Sequence, residues 1–127
     1  MSPGDVWFDH ATFSETASFR DATFSGGVSF AAATFSETAW FDDATFSGTT
    51  EFDGATFSGN ARFDRANFSG AAWFSHASFS DTAVFENVDF GTKPISFAEP
   101  KRWGPPAPVF DWSADITLKP ANVEPQG

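Results

Sequence analysis

Few residues in this chain are of a type that does chemistry. There are two histidines, His10 and His76, no cysteine, and seventeen Asp and Glu against seven Lys and Arg. Without cysteine there is no thiol nucleophile, no disulfide and no Cys-ligated zinc. Serines at 14, 25, 36, 47, 58, 69 and 80 each follow a phenylalanine, where turn chemistry explains them. No serine has a histidine and an acid at a spacing that would assemble a nucleophilic triad. No glycine pattern follows a strand and opens a helix, as a phosphate loop requires. The expectation is a protein that is not an enzyme, with no cofactor and no metal.

The net charge of −10 and pI of about 4.3 oppose binding to nucleic acid or an anionic membrane, because the long-range field repels both. The same charge favours solubility. No apolar run approaches the roughly 20 residues that span a bilayer, and the start lacks the basic and apolar segments of a signal peptide. A cytoplasmic protein is the expectation, with a soluble piece of a longer one as the alternative.

What must position any surface group is a repeat. Phenylalanines stand at Phe8, Phe13, Phe19, Phe24, Phe30, Phe35, Phe41, Phe46, Phe52, Phe57, Phe63, Phe68, Phe74, Phe79, Phe85 and Phe90, with gaps that alternate five and six. Two residues before each stands Ala, or Val or Thr at 6, 28, 50 and 88. One gap of each kind makes the unit, an 11-residue repeat. Helix is a poor reading, since Gly26, Gly27, Gly48, Gly54, Gly59 and Gly70 recur among many Ser and Thr, all weak in helix interiors. Spacing by two is the strand signature. Short strands with a turn every five or six residues describe a solenoid of stacked coils.

Positions 22 apart match better than positions 11 apart. Residues 17, 39, 61 and 83 are all Ala, and residues 26, 48 and 70 are all Gly. Four faces per coil and about four coils follow. Trp7, Trp40 and Trp73 lie 33 apart and point to a three-unit period instead. Inward positions feel packing most directly, so the 22-residue coil is preferred.

The Ala-x-Phe units from Val6 to Phe90 resemble the pentapeptide-repeat family, in a Phe-rich, 11-residue double-unit form similar to actinomycete members. That resemblance implies an all-β fold, a right-handed quadrilateral parallel β-helix with Phe stacked inside and Ala in the corners. The extra residue in every second unit departs from the family pattern and leaves the turn types open. The expected organisation is a solenoid over 1–96 and a C-terminal cap with an extended Pro-rich tail over 97–127. Trp103, Phe110 and Trp112 are the candidate cap residues, and the tail from Asp115 is expected to be weakly ordered.

In this geometry His10 and His76 lie three coils apart, about 14 Å at 4.8 Å per coil, too far to share a metal. Asp42, Asp64 and Glu86 stack on the third face with Asp43 beside them, a possible acidic interaction face. The leading expectation is a structural or protein-interaction scaffold of unknown partner. Some members of the resembled family imitate DNA and bind the type II topoisomerase gyrase, so an acidic DNA mimic is the alternative, against which Arg62 and Arg65 interrupt the acids. Ice binding is a minor alternative, from the outward Thr12, Thr34 and Thr56 and the pair Thr23 and Thr45, ladders broken by Asn67, Ser78 and Asp89. Few residues precede Val6, so self-association through the N-terminal end, as a homo-oligomer, is also expected.

Overall fold

The computed structural model describes residues 5–113, 115 and 119–124. These residues form nineteen strands and no helix. Every strand has two residues except Ala83–Phe85, which has three. All pairings are parallel and collect into four sheets, one per face of the coil. On the first face the register runs Val6↔Val28↔Thr50↔Ala72↔Ile95↔Val123. The third runs Ala17↔Ala39↔Ala61↔Ala83. Through the repeat, each strand therefore pairs with its equivalent one 22-residue coil away, and the Trp spacing of 33 puts Trp40 on the face opposite Trp7 and Trp73.

The coil spacing dictates the core. Rings one coil apart stack nearly parallel, as in Phe30 on Phe52 at 4.9 Å and 6° and Phe35 on Phe57 at 5.0 Å and 2°. Across the coil the first-face and third-face columns meet edge to face, as in Phe30 against Phe41 at 5.4 Å and 84°. Such ring pairs contribute roughly 0.5–1.5 kcal/mol each beyond their burial. Phe30 and the eleven later repeat rings through Phe90 are buried. Phe8, Phe13, Phe19 and Phe24, in the first coil, are only partly so.

The alternation of five and six residues is an alternation of two corners. After Phe8, Phe19, Phe30 and their equivalents, the Phe carbonyl accepts a hydrogen bond from the N–H three residues on, for example Ala33 N to Phe30 O at 3.0 Å. The third residue of each such turn has φ between 57° and 71°: His10, Asp21, Ala32, Asp43, Gly54, Arg65, His76 and Asn87. That is the arrangement of a type II turn, which favours glycine there; here one position in eight has it. The other corner is one residue longer. A Cβ on Gly48 there would fall 2.6 Å from the Gly26 carbonyl carbon, and one on Gly70 2.4 Å from the Gly48 oxygen. Glycine therefore lets successive coils close up at this corner.

Beyond Phe90 the side-chain rhythm fails but the coil continues, giving about five turns rather than four. Ile95–Ser96, Arg102–Trp103 and Val109–Phe110 add a strand to the first, second and third sheets. Phe97 stacks on Phe74 at 4.8 Å and Phe110 on Phe85 at 5.1 Å. Trp103 meets Phe79 edge-on at 5.7 Å, and Trp112 lies on Phe90 at 5.6 Å. One aromatic side chain thus closes each of the four columns. The tail differs from expectation within 119–124. Val123–Glu124 pairs with Ile95–Ser96, Val123 is buried, and the Asn122 amide donates to the carbonyls of Phe90 and Lys93. The rest of the tail, at 114, 116–118 and 125–127, lies outside the described residues.

Candidate functional site

The interior holds packed rings, which leaves the outer faces and the ends of the coil to carry a site. His10 and His76 occupy equivalent turn positions, both at φ 61° and neither buried. Among the described residues no group of three or more His, Asp or Glu is placed to hold a metal ion. The Thr columns stand as spaced: Thr12, Thr34 and Thr56 continue into Ser78 and Arg102, and Thr23 and Thr45 into Asn67 and Asp89.

The acids of the third face are brought together, but with arginines among them. Arg20 Nε donates to the Asp42 carboxylate at 3.0 Å, and its guanidinium lies 4.6 Å over the Trp40 ring. Arg62 forms a two-pronged pair with Asp64 at 2.7 and 3.2 Å, and Arg65 another with Asp43 at 3.1 and 3.2 Å. The hydrogen bond from Arg65 to Asp43, with the charge of that carboxylate, pushes the guanidinium further above its ordinary range. Asp42 is buried; Arg20 holds its Oδ2, while its Oδ1 has no hydrogen-bond partner among the described residues. Of the four candidate acids, Asp42, Asp43 and Asp64 are each in an ion pair; Glu86 is exposed.

The first face is the reverse case. Its outward column runs Trp7, Ser29, Glu51, Trp73 and Ser96. Trp7 and Trp73 are exposed at 56% and 36%. Between them stands Glu51, with Asp53 at the turn that follows it and Asp9 at the equivalent turn beside Trp7. None of the seven Lys and Arg falls at positions 5–10, 27–32, 49–54 or 71–76, which make this face in the first four coils. Partial burial, followed by the charges of Asp53 and Asp9, raises the Glu51 carboxyl above its ordinary range. Asp53 Oδ1 is buried without a hydrogen-bond partner among the described residues. Two grooves of about 260 and 270 Å³ open here, both bordered by Glu51; one runs beside Trp7 and the other beside Trp73, Asp53 and His76. Sequence reasoning assigns these tryptophans no role. Their separation by three whole coils is the signal in the sequence that they share a face.

Four parallel sheets around a closed aromatic interior define a β-solenoid. The sequence profile described as pentapeptide repeats (9 copies) matches residues 8–56 and 52–92, and the chain belongs to that family. No curated protein and no solved structure matches it. No helix among the described residues is long and apolar enough to cross a membrane.

Proposed function

We propose that the protein is a non-enzymatic scaffold that binds another protein through its outer faces. The observation that carries this is the filled interior: side chains close every column, and the two grooves of about 260 and 270 Å³ fall below the roughly 300–1,000 Å³ of small-molecule sites. Each has room for a partner's side chain. Affinity capture from a cell extract tests it, with the wild type beside variants altered on one face at a time. A stoichiometric protein retained by the wild type and lost from one face variant supports the scaffold. Retention of none, or equal retention by every variant, contradicts it.

The alternative, an acidic stand-in for DNA toward gyrase, draws support from the net charge of −10 and the third-face acids. The arginines paired with Asp42, Asp43 and Asp64 weigh against it. Inhibition of gyrase supercoiling is its assay, and no inhibition at micromolar protein would dispose of it. Self-association through the N-terminal end also belongs to this reading. Its support is that Phe8, Phe13, Phe19 and Phe24 are less buried than every ring of the second coil. Light scattering over a concentration series tests it, and a constant monomer mass contradicts it.

A further inference from the structure

We infer that the first face is a docking surface for a basic peptide segment, an extended stretch of a partner protein that places two Arg or Lys side chains four residues apart. This surface presupposes the scaffold function and gives it a site and a partner chemistry. Three independent observations converge on it.

The first is the segregation of charge. Through the repeat, all three arginines lie on the third face, each holding an acid. On the first face Glu51, Asp53 and Asp9 stand with no Lys or Arg at any position of its first four coils. Glu51 is half-buried beside other acids and resists ionisation, and Asp53 keeps a buried carboxylate oxygen without a partner among the described residues. Both are relieved by an arriving cation.

The second is the pair of exposed indoles. Trp7 and Trp73 flank these carboxylates, and an indole face is the best aromatic partner for a guanidinium or ammonium. The third face already uses this chemistry, with Arg20 over Trp40 at 4.6 Å. An aromatic surface next to carboxylates with no Lys or Arg partner among the described residues favours an organic cation over a simple metal ion, and the described residues offer no metal-binding cluster.

The third is spacing. Two grooves, one at each tryptophan, share Glu51 as their common wall. The tryptophans are three coil rises apart, about 14 Å. Side chains four residues apart on one face of an extended peptide are separated by about 13 Å. Such a peptide lies along the solenoid axis with one cation at each indole and Glu51 between them.

The test uses the full chain and a capped synthetic peptide of Ser and Thr carrying two arginines four residues apart. The control is the same peptide with citrulline, which keeps the shape and removes the charge. Calorimetric titration should show binding of the arginine peptide and at least about tenfold weaker binding of the citrulline peptide. Trp73→Ala and Glu51→Gln should each weaken the arginine peptide by about fivefold. Glu86→Gln, which removes the same net charge from elsewhere, should change it by less than about twofold. Glu51→Gln should keep the wild-type melting temperature or raise it, so its loss of affinity is not a loss of fold. Equal binding of the two peptides, no binding at millimolar peptide, or equal effects of Glu51→Gln and Glu86→Gln would each overturn the assignment. A protein captured by the wild type and retained by Trp73→Ala and Glu51→Gln would leave the scaffold standing and remove this face from it. Peptide binding with no protein captured would keep the site and remove the scaffold.

Discussion

Replacing Thr50 by valine should stabilise the protein. Thr50 stands in the first-face column between Val28 and Ala72, fully buried, and its Oγ1 has no hydrogen-bond partner among the described residues. A buried hydroxyl left unpaired costs roughly 1–3 kcal/mol. Valine has nearly the same shape, so no cavity opens, and the methyl that replaces the hydroxyl loses no hydration by being inside. A gain of about 1–2 kcal/mol is expected. At about 2.1 cal/mol/K per residue of unfolding entropy, each kcal/mol moves the midpoint of a chain this size by about 4 °C. Thermal unfolding followed by circular dichroism should therefore show a rise of about 4–8 °C. The counterpart is Ala39→Val, in the third-face column Ala17↔Ala39↔Ala61. Ala39 is fully buried, and two added methyl groups there overpack the coil at a cost of about 1–3 kcal/mol. Opposite shifts are predicted for two substitutions to the same residue. A drop for Thr50→Val as large as that for Ala39→Val would mean that Thr50 is satisfied in the fold, and would refute the reasoning.

Glu51 should confer a pH dependence. Its folded pKa is raised, by burial first and then by Asp53 and Asp9, so between the unfolded and folded values the native state holds more protons. Stability falls as pH rises through that window, and Glu51→Gln should match or exceed the wild type at pH 7, with the advantage vanishing below about pH 4; a variant less stable at pH 7 contradicts this. Gly70→Ala places a Cβ 2.4 Å from the Gly48 carbonyl oxygen. It should lower stability by about 1–3 kcal/mol, and an unchanged denaturation midpoint would show that the corner yields freely. Removing residues 97–127 uncovers Phe74, Phe79, Phe85 and Phe90 together. Aggregation or a broadened, lower transition is expected by light scattering and calorimetry, and a soluble truncation with the full-length midpoint would deny the segment its closing role.

The repeat is legible because inward residues are constrained by packing. Alternating gaps of five and six between rings mark the inward residues, and their match 22 apart, Ala at 17, 39, 61 and 83, selects four columns. The fifth coil is not legible by the same rule. Phe97, Trp103, Phe110 and Trp112 close the columns at spacings of six, seven and two, with longer excursions between them. Backbone bonds such as Lys101 N to Ala77 O and Gly104 N to Phe79 O carry the pairing there, and they need no side-chain period. The turn type is hidden for a related reason. Left-handed residues such as His10, Asp21 and Arg65 bear no glycine signature, because each turn also bonds to the coil beside it, as His10 N does to Ala31 O at 2.9 Å. On the surface, the acidic column is visible in the sequence, and so are Arg62 and Arg65 within it. The pairing of Arg20 with Asp42 becomes visible only through the register of the coil. The first face is hard to read because its informative residues, Trp7 and Trp73, recur at three coils rather than one.

Hydroxyl-radical footprinting of the complex with the two-arginine peptide addresses the central claim, that function lies on an outer face of a filled solenoid. Protection should appear at Trp7 and Trp73, three coils apart in the chain, while Trp40 on the opposite face reacts as in the free protein. Protection centred on Trp40, or confined to Trp103 and Trp112 in the closing segment, would contradict it.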